Sequence, residues 1–289
     1  MSPPAGGFIP QILLAPHFPV RAGGTVDIIV CVKHVPDTTE AEVRIRPDKK
    51  DIEKADLPFI INEWDEYAAE EAILLKEKYG GTVVAITVGP PESEATLRRV
   101  LAKGADMAIR VWDDALEGSD GYVIAKVLAN TIKARGLKYD LILTGAQAAD
   151  DGYALVGPML AEMLGIPHAT LVKKEEILDG RIRVHRELEG GLEEVVELTL
   201  PALLTIQTGI NEPRYVSIMG IRKARKKPLE VLGLSDIGMS PDEVGPAGSW
   251  LEVEEVYVPP AERVAEILPG GPSEEAAKLI EILKSRGLV

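Results

Sequence analysis

The sequence predicts an α/β fold in which a parallel β-sheet is covered by helices on both faces. From residue 26 to residue 165, strand-like apolar runs alternate with helix-like segments, the order that parallel sheets require. The runs are almost continuously apolar, which indicates strands buried on both faces. Beyond residue 165 the pattern changes to a period of two around "EGG". This change predicts an added β-hairpin, and the chain then ends in an extended arm with a terminal helix.

The alternating region starts with the β-branched run "VDIIVCVKHVP" at residues 26–36, which predicts one strand closed by a proline. "VRIRPDKKD" alternates and then turns, which predicts a short strand and a loop. The segment "NEWDEYAAEEAILLKEKYGG" predicts a helix that has Asn62 as its N-cap and that ends at the glycine pair.

The same alternation continues up to residue 165. Helices separate the next strands, and the second of these helices is predicted to run from a Ser119 cap to Gly136. The last strand leads into a helix at "YALVGPMLAEMLG". The predicted buried strands are "GTVVAITVGP", "MAIRVW" and "YDLILTG".

The final third combines a hairpin, one more buried strand and an arm. "RIRVHREL" and "EVVELTL" form the hairpin, and "PALLTI" is the strand. The final helix, "SEEAAKLIEILKSRG", carries an apolar stripe and has Ser273 as its predicted cap. Its own domain and a partner subunit are equally acceptable as the surface that covers this stripe. We therefore expect an N-terminal extension at 1–25, an α/β domain at 26–234 and a C-terminal arm at 235–289.

Composition excludes several classes of function. The net charge of −14 over 289 residues argues against general nucleic-acid binding, which needs a cationic surface. The single cysteine excludes an internal disulfide and fits a reducing compartment such as the cytoplasm. No apolar run reaches the ~18 residues of a membrane span, so direct membrane insertion is not expected. The scarcity of Asn and Gln beside abundant Glu resembles a heat-adapted protein.

The first 25 residues are rich in Pro and Gly, and no positive charge precedes their apolar part, so a secretory signal is not expected. They predict a flexible or partner-contacting extension. A start site assigned too far upstream, with the domain beginning near Val26, is the alternative.

Familiar catalytic and phosphate-binding motifs are absent from the sequence. There is no G-x-x-x-x-G-K-[ST], no G-x-G-x-x-G after the first strand, no C-x-x-C and no G-x-S-x-G. The four histidines are scattered without metal-ligand spacing. We therefore expect neither a metal site nor a catalytic residue supplied by this chain.

The carboxyl ends of the parallel strands are the predicted ligand site, as in other open α/β sheets. Four segments converge there: "CVKHVP", "INEWDE", "TVGPPES" and "TGAQAADDGYALVGP". The last combines small residues, which allow close approach of the backbone, with a helix start, which suits phosphate. Its two aspartates are suited either to accept from ribose hydroxyls or to cap the next helix. On the residues alone, a plain turn with a capping aspartate stays open.

The stretch "VHRELEGGLEEVVELTLPALLT" resembles the signature of the electron-transfer flavoprotein β subunit. "NEPRY", "VKHVPD", "NEWDEYAAEEAILLKEK" and "GAQAADD" also resemble that family, in order, between Val26 and Gly238. The matching signature residues are Val184, Arg186, Glu189, Gly190, Gly191, Glu194, Val196, Pro201, Leu203, Leu204 and Thr205.

The resemblance implies a Rossmann-like nucleotide-binding domain with an arm that embraces an α subunit. In this family the β subunit binds a nucleotide, while the α subunit holds the flavin that passes electrons on. The family's nucleotide contacts correspond here to Cys31, Asn62, Glu63, Trp64, Asp65, Val88, Thr144, Gly145, Gln147, Ala148, Ala149, Asp150, Asp151, Gly152, Tyr153, Ala154, Leu155, Val156, Gly157 and Pro158.

The nucleotide itself divides the family. It is a structural AMP in simple carriers, and in electron-bifurcating members it is FAD, which takes a hydride from NADH. Residues "VGPMLAEMLGIPHAT" resemble the bifurcating and nitrogen-fixation-linked branch, so we expect FAD, with AMP as the alternative. A stand-alone adenine-nucleotide sensor with a similar sheet is the rival function, and the long arm argues against it.

The resemblance also gives a role to the basic cluster "RKARKK". Composition alone favours a solvated loop there, with an anchor for an acidic partner or a ligand phosphate as the alternative. In the family, this part of the chain docks on dehydrogenases or quinone oxidoreductases. Ile218 or Met219 would be the apolar anchor. The basic residues expected to steer acidic partner surfaces are Arg222, Lys223, Arg225, Lys226 and Lys227.

Overall fold

A computed structural model gives the structure of this chain and describes residues 24–260, 265 and 267–289. Almost all of the predicted N-terminal extension, residues 1–23, lies outside the described residues. The chain divides into two compact units. The first comprises the described residues up to Arg44 together with Glu53–Val253, and the second comprises Ile45–Ile52 and Glu254–Val289.

A large β-sheet forms the centre of the first unit, with the strand order β11-β5-β4-β1-β6-β10-β7-β8-β9. The pairings from β11 through β7 are all parallel, and β8 and β9 are antiparallel additions. A separate antiparallel pair joins β2 to β3. The strands are β1 (Ile28–Cys31), β2 (His34–Pro36), β3 (Phe59–Ile61), β4 (Val83–Val88), β5 (Met107–Val111), β6 (Leu141–Gly145), β7 (His168–Leu178), β8 (Arg181–Glu187), β9 (Glu193–Thr199), β10 (Ala202–Ile206) and β11 (Leu229–Leu232).

Helices cover both faces of the parallel part of the sheet, each over its own buried apolar cluster. One face is packed by α1 and α2, and the other by α3 and α4. The α-helices are α1 (Glu63–Tyr79), α2 (Glu94–Lys103), α3 (Gly121–Ala134), α4 (Val156–Leu164), α5 (Ile218–Ala224), α6 (Gly245–Gly248) and α7 (Pro272–Ser285). The predicted parallel α/β architecture with a hairpin addition is confirmed.

Strand β1 lies at the point where the strand order reverses. After β1 the chain adds β4 and β5 on one side, and it then crosses back to add β6 on the other side of β1. The connections after β1 and β6 therefore diverge and leave a crevice at the carboxyl ends of these two strands. Ligands of open α/β sheets bind in such a crevice.

Several predicted boundaries differ from the structure for local reasons. The predicted strand at 26–36 is two strands in two sheets, because the Lys33 N–H donates to a side chain and leaves the ladder. Asp120 caps α3 by accepting from the Val123 N–H, whereas the predicted cap Ser119 accepts from the Gly245 N–H. The final helix begins two residues earlier than predicted, with Gly271 at the N-cap position in place of Ser273.

The first unit continues past residue 235 as far as Val253. Asp120 ties the end of this stretch to the first unit, because its Oδ2 accepts from the N–H groups of Trp250 and Leu251 at 2.7 and 3.0 Å. The Trp250 ring also stacks on Tyr122, with ring centroids 3.8 Å apart. The start of α3 therefore fixes the chain just before the second unit.

The second unit is small and exposed. An isolated bridge joins Ile45 to Ile52, in place of the predicted short strand, and Lys49 pairs with Glu255 at 2.6 Å. None of the residues of α7 is buried, and its apolar stripe is about half-exposed at Leu279 and Ile280. Within the described part of the chain, every helix is too short or too polar to cross a bilayer.

A cavity of about 340 Å³ lies where the hairpin strands meet the end of α1, and Glu175 lines it. Burial raises the pKa of Glu175 well above its usual range, and the neighbouring Glu71 carboxylate raises it further. Within the described residues, Oε2 of Glu175 is buried without a hydrogen-bond partner. The folded chain therefore holds this proton more tightly than the unfolded chain does, and ionisation of Glu175 costs stability.

We predict that Glu175→Gln stabilises the chain at alkaline pH. The stability that comes from the raised pKa is complete below the unfolded-state pKa and is lost as pH rises through the folded-state pKa. The gain in the free energy of unfolding should be about 1–2 kcal/mol near pH 8 and close to zero near pH 4.5. Urea unfolding at both pH values measures it. Glu176→Gln, at the exposed neighbouring position, should show no such pH dependence, and an equal gain for both variants would contradict the prediction.

Candidate functional site

Three side chains from two other elements hold residues 144–158, the 144–158 segment, at the carboxyl end of β6. Lys33 follows β1, and Asn62 and Asp65 stand at the start of α1. Each of the three bonds the 144–158 segment directly. The sequence-predicted segments after β1, before α1 and after β6 are thus brought together at the crevice between β1 and β6.

Asp65 bridges the ends of β1 and β6. Its Oδ2 accepts from the Lys33 N–H at 2.7 Å, and its Oδ1 accepts from the Gly145 N–H at 2.9 Å. Burial raises the pKa of Asp65 to about 7, against the opposing effect of these N–H donors. A carboxylate held between two strand ends fixes the width of the crevice.

Asn62 has a different role from the predicted one. It occupies the N-cap position of α1, yet its side chain makes no capping hydrogen bond. Instead Nδ2 donates to the Gln147 carbonyl at 2.8 Å, and Oδ1 accepts from the Ala149 N–H at 3.0 Å. The side-chain amide therefore pairs with the backbone of the 144–158 segment as a neighbouring strand would.

Lys33 is a site residue that the sequence reasoning did not single out. Its ammonium donates to Asp150 Oδ1 at 2.7 Å and to Asp151 Oδ2 at 2.8 Å. A signal was present in the sequence, because Lys33 is the only lysine or arginine in the four converging segments. The two aspartates that were expected to hold ribose or to cap a helix are both paired with this one cation.

The turn after Asp151 explains why α4 begins at Val156, three residues later than predicted. Asp151 Oδ1 accepts from the Tyr153 N–H at 3.1 Å, which closes a local turn. Gly152 and Ala154 have φ angles of 63° and 54°, in the left-handed region, so the helix cannot extend through them. Leu155 is the N-cap residue, and no side-chain hydrogen bond caps this helix start. Neither Asp150 nor Asp151 therefore caps α4.

Two glycines allow close packing at this edge of the sheet. A Cβ at Gly145 would lie 2.3 Å from Asp65 Oδ1, and a Cβ at Gly157 would lie 2.6 Å from Thr205 Cγ2 and 2.8 Å from Thr144 Oγ1. Side chains at these positions would push α1 or α4 away from the strands. Both helix starts therefore stand closer to the strands than a side chain at either position would allow.

The remaining predicted contacts surround the same crevice. Cys31 ends β1, and burial, aided by Asp65, raises the pKa of its thiol to about 12, so it stays neutral and unreactive. Val88 ends β4, the neighbour of β1. Trp64 Nε1 donates to Gln207 Oε1 at 2.8 Å, which brings in a residue that the sequence reasoning missed. Glu63 is exposed in the first turn of α1.

The start of α4 has the chemistry that attracts an anion. The first turn of a helix carries N–H groups without intrahelical partners, and α4 has no side-chain cap at that end. These N–H groups and the positive end of the helix dipole suit an anion. Gly157 lets that helix start sit tightly against β6 and β10. The groups that attract an anion here are thus backbone N–H groups at the start of α4 rather than a cluster of positive side chains.

A second surface is formed by residues 211–227, the 211–227 segment. Arg214 bonds Glu70 and Glu77 of α1, and Asn211 bonds Glu71, so the start of the segment is tied to that helix. Helix α5 then lies against α2, where a Cβ at Gly220 would meet the Ala102 carbonyl oxygen at 2.5 Å.

Apolar side chains project from this segment. Tyr215, Ile218 and Met219 are 99%, 75% and 68% exposed, and Ile221 is also exposed. Arg222, Lys223, Arg225 and Lys226 are exposed beside them. Lys227 differs, because its ammonium donates to the Leu101 and Ala105 carbonyls at the end of α2 and so helps to hold α5 in place.

Comparison with known proteins identifies the family of this chain. The family model described as "Electron transfer flavoprotein domain" matches residues 51–237 of the chain. The chain belongs to the electron transfer flavoprotein family. The match spans the 144–158 segment, the hairpin that carries the signature and the 211–227 segment.

Curated members of the electron transfer flavoprotein family resemble this chain over nearly their whole length. The electron transfer flavoprotein subunit beta of Methylophilus methylotrophus is 42% identical over 260 residues, 89% of this chain and 97% of that protein. The caffeyl-CoA reductase-Etf complex subunit CarD of Acetobacterium woodii is 38% identical over 264 residues, 91% and 99% of the two chains. Protein FixA of Azotobacter vinelandii is 37% identical over 253 residues, 85% and 89% of the two chains. The chain is thus of the β-subunit type, with a role in electron transfer.

Proposed function

We propose that this chain is the nucleotide-binding β subunit of a heterodimeric electron transfer flavoprotein that takes electrons from NADH and bifurcates them to partner oxidoreductases. The observation that carries the proposal is the 144–158 segment, which three side chains hold at the β1/β6 crevice with the uncapped start of α4 beside it. The chain would bind FAD there, with the pyrophosphate on backbone N–H groups.

A flavin bound at this site would supply the redox chemistry, accepting a hydride and passing electrons on singly. The chain's own residues would bind it, orient it and exclude water. Asp65 and Asn62 would keep the backbone cradle in shape, and the neutral Cys31 thiol would line the crevice without reacting. No side chain of the chain is required as a nucleophile or as a general acid or base.

The choice of FAD over AMP rests on residues 156–170. Their "VGPMLAEMLGIPHAT" resembles the bifurcating branch, and the relatives include a subunit of a caffeyl-CoA reductase-Etf complex and a FixA protein. Relatives with the plain β-subunit description share somewhat more identity, so a simple carrier with a structural AMP is the alternative.

Nucleotide analysis of the purified heterodimer tests the proposal. The complex is unfolded, and the released nucleotides are separated and quantified per αβ pair. We expect two FAD molecules and no AMP per αβ pair. One FAD and one AMP per pair would contradict bifurcation and leave the nucleotide site intact. One FAD per pair and no second nucleotide would contradict the nucleotide site itself.

The arm and the 211–227 segment are proposed as protein contacts. The extended arm at 235–289 would bind the α subunit, because its exposed apolar residues include Ile267, Leu279 and Ile280. Such a surface does not fit a stand-alone nucleotide sensor. The exposed apolar end of α5, with its flanking basic residues, would dock on an acidic dehydrogenase or quinone-oxidoreductase partner.

We predict that Ile218→Ser combined with Met219→Ser weakens electron transfer to the physiological acceptor without unfolding the protein. Truncation of central apolar anchors commonly costs about 2 kcal/mol or more of binding free energy, roughly a thirtyfold rise in the KM for the acceptor. Both side chains are more than half exposed, so the melting temperature should stay unchanged. Steady-state kinetics measures the effect, and Val231→Ser, at an exposed position outside α5, is the control.

A further inference from the structure

We propose that Lys33 is a positioning residue that neutralises the two carboxylates of the 144–158 segment, so that the segment can accept a phosphate-bearing ligand. The inference rests on the proposed nucleotide site and adds a residue and a mechanism to it. It concerns a side chain that stands outside the segment, on the connection after β1.

The geometry is that of a two-way clamp. The Lys33 ammonium lies 2.7 Å from Asp150 Oδ1 and 2.8 Å from Asp151 Oδ2, so one cation joins two neighbouring carboxylates. The Lys33 backbone N–H is fixed at the same time by Asp65. The lysine is thus held at its base and at its tip, and it connects β1 to the turn that precedes α4.

The charge pattern shows why the segment needs this cation. The four converging segments carry six acidic residues, Glu63, Asp65, Glu66, Glu92, Asp150 and Asp151, and Lys33 is their only lysine or arginine. Like charges a few ångströms apart repel each other, and the repulsion is stronger near a protein surface than in bulk water. Without Lys33, a phosphate at the start of α4 would face two unpaired carboxylates, and the repulsion would offset the attraction of the helix N–H groups.

Lys33 stays charged at neutral pH. Burial lowers the pKa of Lys33, but the carboxylates of Asp150 and Asp151 outweigh burial and raise it overall. All three side chains are partly exposed, so the clamp adds little to stability, as is usual for surface ion pairs. Its effect is expected on ligand affinity rather than on folding.

The clamp and a direct phosphate contact predict different results for combined variants. If Lys33 neutralises the aspartates, Lys33→Met should weaken binding, and adding Asp150→Asn and Asp151→Asn should restore it. Asparagine keeps an oxygen that can accept a hydrogen bond, so contacts to ribose survive while the repulsion disappears. If Lys33 bonded the phosphate itself, the triple variant would stay as weak as Lys33→Met.

The experiment titrates FAD and AMP into the nucleotide-depleted heterodimer by isothermal calorimetry, with circular dichroism to confirm folding. Lys33→Met should raise the Kd at least about tenfold, whereas Lys33→Arg, the Asp150→Asn/Asp151→Asn pair and the triple variant should stay within about threefold of the wild type. The loss in Lys33→Met should also shrink as salt concentration rises.

Other results of the titrations would overturn either the inference about Lys33 or the proposed nucleotide site. Unchanged binding by Lys33→Met overturns the inference, as does a triple variant that remains weak. A tenfold loss in the Asp150→Asn/Asp151→Asn pair alone also overturns it, since the carboxylates would then bind the ligand rather than repel it. If the wild-type heterodimer takes up neither probe beyond the flavin of its α subunit, the proposed nucleotide site is wrong, and that failure is separate from the failure of the clamp.

Discussion

Asp65→Ala is expected to lower the free energy of unfolding by about 2–4 kcal/mol, because two backbone N–H groups lose their acceptor at once. These are the N–H groups of Lys33 and Gly145, at the ends of β1 and β6. Removal of the carboxylate also removes the unfavourable burial of a charge, which the raised pKa of Asp65 indicates, and this offsets part of the cost. The crevice should widen, and nucleotide affinity should fall with it. Urea unfolding and hydrogen exchange of residues 144–158 measure the two effects.

Two further variants separate geometry from charge at this position. Asp65→Asn should rescue at most one of the two hydrogen bonds, because the amide NH₂ would face an N–H donor. Glu63→Gln removes a neighbouring acid from the same first turn of α1, where the side chain is exposed, and should change stability by less than about 0.5 kcal/mol. An Asp65→Asn protein as stable as the wild type would show that the carboxylate does not bridge the strands.

Arg214→Met should be similarly costly, at about 3 kcal/mol, because it leaves the Glu70 carboxylate buried without its partner. Glu70 is only 2% exposed, and Arg214 supplies both a side-chain donor at 2.7 Å and a backbone N–H at 3.0 Å. The start of the 211–227 segment would detach from α1. Thermal unfolding should show the loss of stability, and the KM for the electron acceptor should rise because the docking residues are no longer held in place.

The partners of Arg214 provide the controls. Glu77→Gln removes the exposed partner and should cost less than about 1 kcal/mol, as exposed pairs do. Adding Glu70→Gln to Arg214→Met removes the buried charge and should recover most of the lost stability. If Glu77→Gln proved as damaging as Arg214→Met, the stabilisation would come from the surface pair, contrary to the expectation.

The strands that are buried on both faces could be predicted from the sequence, because burial requires apolar residues there. Strands such as β1, β4 and β6 are enclosed on both faces, so their sequences are almost purely apolar. Strand β7 was missed because "HATLVKKEEIL" carries four charged residues and has no clean alternation. Strand β11 was missed because it has only four residues and lies at the sheet edge. Both depend on pairing with distant strands, which local patterns do not encode.

The position of the candidate site in the fold could be predicted from the sequence, but its hydrogen-bond partners could not. The convergence of segments follows from parallel topology alone, and the structure brings together the segments after β1, before α1 and after β6. The sequence does not show which side chains form hydrogen bonds with each other or with the 144–158 segment. Asn62 has the sequence position of a helix cap and instead bonds the 144–158 segment. Asp150 and Asp151, predicted to hold ribose or to cap the next helix, both pair with Lys33, and neither caps α4. These choices depend on distances between segments far apart in the chain.

The place of β10 in the sheet has a consequence for the order in which the chain can assemble. Residues 202–206 pair with β6 on one side and with β7 on the other, although β7, β8 and β9 all precede them in sequence. Until residue 206 has left the ribosome, β5-β4-β1-β6 and β7-β8-β9 are separate pieces with open edges. The two pieces are therefore joined late, by an insertion at the middle of the sheet. A chain stopped before residue 202 would leave β5, β6 and β7 each with an unpaired edge of the kind that promotes aggregation.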